Sequence, residues 1–377
     1  DRATSIAAAT DGTIYIAGSA DGSFDGETIN QNPSPGRTTD AFISKYNSDG
    51  TKEWTRFLGS IERDSASSIS ATSNGEVYIT GFTYGSFDGQ IKQTQSGDQD
   101  FDHADVFISK YLSNGTKVWT RLLGSTLGEF TNSIATTNDG DIYIAGYTYG
   151  SFDGQTNSGN GDAYISKYNS DGTNEWTRFL GSANFDSANS ISIGPDGYIY
   201  AVGSTFGSFD GQIYSGGAEE GNTFISKYDT NGAKEWTEFL PSSNFYSAYD
   251  INSSPNGVIY IAGVTNGSFD GQTHSGEGDA FVSKFVSVAN GGGSGSGGSS
   301  GPVTVSEGPA STPATQEPTT PAEPPATPPT TPSGNDVESV GGGGGKVAES
   351  PVLGIQPQET VTTIKLTTPL TLGNLQV

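Results

Sequence analysis

Gly22-Ser23-Phe24-Asp25-Gly26 returns letter for letter at Gly85, Gly150, Gly207 and Gly267, at intervals of 63, 65, 57 and 60 residues. Working outward, an apolar run precedes each copy: Ile14-Tyr15-Ile16-Ala17-Gly18, then Val77 to Gly81, Ile142 to Gly146, Ile199 to Gly203 and Ile259 to Gly263. A second run follows each copy: Phe42-Ile43-Ser44-Lys45, then Phe107 to Lys110, Tyr164 to Lys167, Phe224 to Lys227 and Phe281 to Lys284. Four copies end in a Trp segment, Glu53-Trp54-Thr55-Arg56-Phe57-Leu58 and its counterparts around Trp119, Trp176 and Trp236. Self-similarity at such a period marks an array of one supersecondary unit repeated.

Each unit reads as four strands. In the first unit they fall at Ser5–Ala9, Ile14–Ala17, Ala41–Tyr46 and the Trp segment. Asp11-Gly12 separates the first two strands, and Asn74-Gly75, Asp139-Gly140, Asp196-Gly197 and Asn256-Gly257 hold the same place. Asp49-Gly50 and its counterparts separate the last two. Asx-Gly between apolar runs predicts a type I′ hairpin turn with both residues at positive φ. Tyr15 and Ala17 face one side of the second strand and Ile14 and Ile16 the other, so both faces are apolar. A sheet sandwiched between two neighbours needs that pattern. The sequence therefore predicts an all-β, five-bladed β-propeller of four-stranded antiparallel blades, with the second strand of each blade nearest the axis.

The composition agrees. Apolar residues make up 32% and Gly numbers 54, which suits many short strands joined by tight turns. The absence of Cys excludes disulfides and thiolate metal sites. A formal charge of −25 repels phosphate backbones and argues against nucleic acid as a partner. No apolar stretch approaches the roughly 18 residues of a transmembrane segment. There is no Met, so the sequence points to a processed chain or part of a longer one.

The pattern Asp-Gly-x-Ile-Tyr-Ile-Ala-Gly, then Asp-Ala-Phe-Ile-Ser-Lys-Tyr, then Asp-Gly-Thr-Lys-Glu-Trp resembles the bacterial seven-bladed β-propeller (SBBP) repeat. The resemblance covers residues 1–285. It implies secreted or surface-displayed bacterial proteins, often multidomain and without an assigned chemistry. Two departures stand out: five units are present here, and the Gly-Ser-Phe-Asp-Gly loop is an elaboration shared by these five copies.

Beyond the repeats the composition changes, and three segments are expected: a propeller domain at 1–288, a linker at 289–345 and an anchoring or strand-donating segment at 346–377. Gly291–Gly301 is almost entirely Gly and Ser, a flexible linker composition, and residues 302–332 are rich in Pro and Thr. Val361–Leu366 has strand character. The fifth unit lacks a Trp segment, which leaves one outer sheet edge open. An upstream strand, a three-stranded blade or β-augmentation by the tail would each account for it.

No catalytic motif emerges. His103 and His274 lie in variable loops, and neither recurs at its repeat position. The repeated acids are the better candidates. Asp25, Asp88, Asp153, Asp210 and Asp270 form one set. Asp40, Asp105, Asp162 and Asp279, with Asn222 in the fourth unit, form another. Flexible loops rich in oxygen ligands suit calcium, whereas short polar side chains at turns cap backbone N–H groups. Both readings stand open, with Asp25, Asp88, Asp153, Asp162, Asp210, Asp270 and Asp279 as the candidate calcium ligands. One Trp per blade at a fixed position reads as packing between blades, with sugar stacking as the alternative.

The function expected is a non-catalytic structural or adhesive module, extracellular or on a cell or virion surface. A rigid head would be attached through its C-terminal segment to protein partners in a surface or filamentous assembly, homo-oligomeric ones included. A carbohydrate-binding lectin-like propeller is the alternative, and a polysaccharide-acting enzyme the third reading.

Overall fold

The computed structural model describes residues 1–30, 39–93, 103–215, 221–240, 246–268, 273 and 278–286. The segments at 289–345 and 346–377 lie outside the described residues, as do Asp270 and His274.

Every described element is a strand, and the strands form five antiparallel sheets. Blade 1 comprises β1 (Arg2–Ala8), β2 (Ile14–Ala20), β3 (Asp40–Tyr46) and β4 (Lys52–Leu58), hydrogen-bonded in that order. Blades 2, 3 and 4 repeat this order. Blade 5 has three described strands, Tyr246–Ser253, Val258–Thr265 and Asp279–Val286.

The hairpin turns differ from the type I′ expectation. Gly12, Gly75, Gly140, Gly197 and Gly257 have positive φ, but the Asp or Asn before each does not. Gly12 N–H donates to Ala9 O at 3.0 Å, and Ala9 N–H donates to Thr13 O at 2.8 Å. That is a type I turn followed by a left-handed Gly, the three-residue hairpin loop with a bulge. The Asp side chain explains the choice: Asp11 Oδ1 accepts the Thr13 N–H at 2.9 Å, a local bond that holds the aspartate at negative φ.

The I′ geometry appears instead within the shared pentapeptide. Asp25, Asp88, Asp153 and Asp210 have φ of 58°, 54°, 50° and 53°, and the following glycines lie at 73–80°. The residue after each of these glycines donates its N–H back to the Phe carbonyl, as in Gln90 N to Phe87 O at 2.9 Å.

The first strand of each blade, rather than the second, forms the crowded inner seam. Successive first strands bond one another: Ile69 N–H donates to Ser5 Oγ at 3.3 Å, Ile134 N–H to Ser68 Oγ at 3.4 Å and Ile191 N–H to Ser133 Oγ at 3.2 Å. Ala, Ser and Asn predominate there because neighbouring backbones approach closely. The Gly ending each second-strand run has the same cause. A Cβ on Gly146 would lie 1.9 Å from Phe130 O, opposite a bulge in the first strand. Farther out the blades splay, and large side chains fill the wedge. Tyr15, Ile43 and Trp54 of blade 1 pack on Ile69, Val77, Ile79, Phe107 and Tyr111 of blade 2.

Candidate functional site

The first acid set sits at the tip of a buried polar relay. In blade 2, Ser109 Oγ and Thr120 Oγ1 are 2.8 Å apart, and Thr120 Oγ1 donates to Asp88 Oδ2 at 2.6 Å. Asp25 with Thr55, Asp153 with Thr177 and Asp210 with Thr237 repeat the bond at 2.7 Å. Lys52, Lys117 and Lys234 of the outer strands pair with Asp25, Asp88 and Asp210. The Lys52 and Thr55 hydrogen bonds hold the Asp25 carboxyl below its ordinary range. A short acid tolerates the left-handed conformation of the turn better than most residues, and its side chain ties that turn to the outer strand.

The second set lies elsewhere, at the joints between blades. Asp40, Asp105, Asp162 and Asn222 are buried. Each of the three acids receives the end of its own blade's loop. Asn30 N–H donates to Asp40 Oδ2 at 2.8 Å, Gln93 N–H to Asp105 Oδ2 at 2.8 Å and Ser158 N–H to Asp162 Oδ2 at 2.9 Å.

Across each joint stands an acid of the next blade that belongs to neither repeated set: Asp64, Glu129 and Asp186, all buried. These cap the turn after the Trp strand. Ser60, Ser125 and Ser182 each donate an N–H to them at 2.6–2.7 Å, and a hydroxyl as well. A Cβ on Gly181 would lie 2.7 Å from Asp162 Oδ1 and 2.9 Å from Asp186 Oδ2, so carboxyls from two blades flank one glycine. The spacing Leu-Gly-Ser followed four residues later by an acid could have revealed them: Ser60/Asp64, Ser125/Glu129, Ser182/Asp186.

Burial pushes Asp64 and Glu129 up to about 7 and Asp105 and Asp186 up to about 6. In the fourth unit the sequence keeps Leu240 and Ser242 of this motif but has Asn222, Pro241 and Tyr246 in place of the two acids and the glycine. Asp279 is half-buried on blade 5.

The aromatic and basic repeats also serve the joints. Trp54, Trp119 and Trp176 donate their indole N–H to a carbonyl in the next blade's turn, at 3.1, 3.2 and 3.0 Å. Arg121 and Arg178 lie over their own blade's Trp and donate to Gly172 O and Gly232 O at 3.2 and 2.8 Å. Among the described residues, no group of three or more His, Asp or Glu side chains is placed to hold a metal ion. No helix among them is long and apolar enough to cross a membrane.

Radially successive four-stranded sheets, each stapled to the next, define a β-propeller repeat protein. Residues 118–153 match the SBBP β-propeller repeat, so the family resemblance of the motifs is shown on that segment. The chain is 26% identical over 248 residues to the regulatory protein FlaEY of Caulobacter vibrioides, covering 64% of this chain and 24% of that protein. It is 23% identical over 264 residues to an uncharacterized WD repeat-containing protein of Acanthamoeba polyphaga mimivirus, covering 56% of this chain and 19% of the other. The matches thus span a quarter or less of these relatives. Among solved structures, the β-propeller domain of the Trilobed protease from Pyrococcus furiosus aligns at 9% identity and a TM-score of 0.37, over 74% of this chain and 68% of that one.

Proposed function

We propose that the chain is a non-catalytic structural module: a rigid propeller head displayed outside the cell or on a virion, with residues 346–377 attaching it to protein partners. One observation carries this reading. The repeated acids, hydroxyls, tryptophans and arginines do the same internal work in successive blades, tying turns to strands and blades to blades. A catalytic centre asks for unlike groups converging on one point, whereas these recur at equivalent places around the head. The relays of the first acid set support turn capping over calcium ligation for Asp25, Asp88, Asp153 and Asp210.

For Trp54 and Trp176, buried and bonded to the next blade, this supports packing over sugar stacking, while Trp119 and Trp236 are half-buried.

The test is deletion of residues 346–377. The shortened chain should keep the circular-dichroism spectrum and melting of the whole protein and lose attachment to its assembly. Attachment that survives the deletion refutes the anchoring role. A glycan array that binds the head, with binding abolished by Trp119→Ala, would restore the lectin reading.

A further inference from the structure

Residues that recur in every unit serve the fold, so departures from the repeat are where a further role has room. The largest departure is aromatic. At the end of the second strand the five blades carry Ser19, Phe82, Tyr147, Ser204 and Val264, and two residues on Asp21, Tyr84, Tyr149, Phe206 and Asn266. Phe130 stands in the first strand of blade 3, and Phe185 leads into that of blade 4. All these positions lie at the end of the blades opposite the Asx-Gly turns, where second strands finish and first strands begin.

The rings form one row across blades 2 to 4. Phe82 of blade 2 and Phe130 of blade 3 lie 5.6 Å apart between centroids, Phe130 stacks on Tyr147 at 5.1 Å, and Tyr147 meets Phe185 of blade 4 at 5.2 Å. Tyr84 packs edge-on to Phe82 at 5.9 Å and Tyr149 to Tyr147 at 5.8 Å. Arg63, exposed, lies over the Phe82 ring at 5.5 Å. The seat of Phe185 depends on a glycine: a Cβ on Gly161 would lie 2.9 Å from Phe185 Cδ2. The joints do not need these rings. Between blades 4 and 5 the same level is closed by Ser204 Oγ and Ser247 Oγ, 2.8 Å apart, and Ser19 and Ser65 hold those places in blades 1 and 2. Nor are the rings core. Phe82, Tyr84, Phe130, Tyr147, Tyr149 and Phe185 are all half-buried, whereas the aromatics that fill the joints, such as Tyr78, Phe107 and Tyr143, are fully buried.

We propose that the row from Phe82 to Phe185 is a platform that binds a neutral glycan chain. Grouped rings that keep contact with water mark interaction surfaces, and three features select the occupant. A sugar ring offers an apolar C–H face that stacks on an aromatic ring, and hydroxyls at its edge that need polar partners. Arg63 and the phenols of Tyr84, Tyr147 and Tyr149 supply such partners beside the stacking rings. The area is small for a protein. Six half-buried rings of roughly 150–250 Å² each offer a few hundred Å², short of the roughly 800 Å² per partner of a stable protein interface. A row one ring wide suits a linear chain of rings instead. A formal charge of −25 repels anionic polymers and so favours an uncharged one. This inference goes beyond the anchoring role of residues 346–377 and does not depend on it: it gives the displayed head a binding face of its own, away from the repeated Trp positions.

Affinity electrophoresis of the full chain tests it, in gels carrying dextran, mannan, xyloglucan or mixed-linkage β-glucan, with dextran sulfate as the anionic control. At least one neutral gel should retard the chain, and dextran sulfate should not. Phe82→Ser and Tyr147→Ser install the residue that blades 1 and 4 carry at this place, so both should keep the wild-type circular-dichroism spectrum. Each should weaken the retardation about three- to tenfold, and the two together should abolish it. Trp119→Ala should leave it unchanged, which separates this face from the Trp positions. Unaltered mobility in all the neutral gels overturns the proposal, as does retardation that survives the double variant. A chain that no neutral gel retards, but that loses a protein partner in the double variant, would assign the row to protein binding and overturn the glycan class.

Discussion

Asp88 and Asp105 flank one loop of blade 2, recur with equal regularity in the sequence, and occupy opposite surroundings. Asp88 sits in a left-handed turn and accepts hydrogen bonds from Thr120 and Lys117 near the surface. Asp105 is fully buried at a joint, accepts the Gln93 N–H, and faces the neighbouring blade's Glu129. The comparison teaches that periodicity reports a shared structural duty without saying which one. One set is tied by its oxygens to the outer-strand threonines at the tips of the blades. The other is pushed toward the neutral form by burial beside a second carboxyl.

Removing a joint acid should cost most. Asp186→Ala leaves the buried Ser182 N–H and hydroxyl without an acceptor, and a loss of about 2–4 kcal/mol in urea unfolding is expected. Asp88→Ala should cost less, about 1–2 kcal/mol, from the lost Thr120 bond and the loss of the short polar side chain that makes the left-handed backbone tolerable. Asp88→Asn should recover part of that, since Asn tolerates the same backbone. Lys117→Met removes only the partly exposed pair with Asp88 and should change stability by less than about 0.5 kcal/mol. A reversal of this order, with the Lys variant worst, would erase the distinction between the two sets.

The strands and their order were legible because the motifs around Ile14, Phe42 and Trp54 recur in phase with Asx-Gly turns. The turn type was not. Asp11 and Asp25 both precede a Gly, and only the local bond from Thr13 N–H to Asp11, against the pull of Thr55 and Lys52 on Asp25, separates negative from positive φ. The seam strand was missed because hydrophobicity marks the second strand, while close backbone approach demands the small residues of the first. Asp64, Glu129 and Asp186 escaped because their partners Asp40, Asp105 and Asp162 lie in the preceding repeat. A pairing across units is invisible to an alignment of units.

Thermal melting as a function of pH separates the two acid sets most directly. Asp64, Glu129, Asp105 and Asp186 have folded-state values raised to about 6–7 from ordinary values of 3.8 and 4.5. A raised acid binds its proton more tightly in the folded state. Its stabilising contribution is complete below the ordinary value and lost as pH rises through the folded one. Asp25 has the opposite sign: its value is lowered, so its contribution persists to below the ordinary carboxylate range. The melting temperature of the wild-type head should therefore climb as the buffer goes from about pH 8 to about pH 5, and Asp105→Asn combined with Glu129→Gln should flatten part of that climb. A chelator should leave the curve unmoved at pH 8. A melting temperature that is flat or falls over the same interval, or that drops on chelation, would contradict the assignment of the joint acids as buried, cation-free partners holding blade to blade.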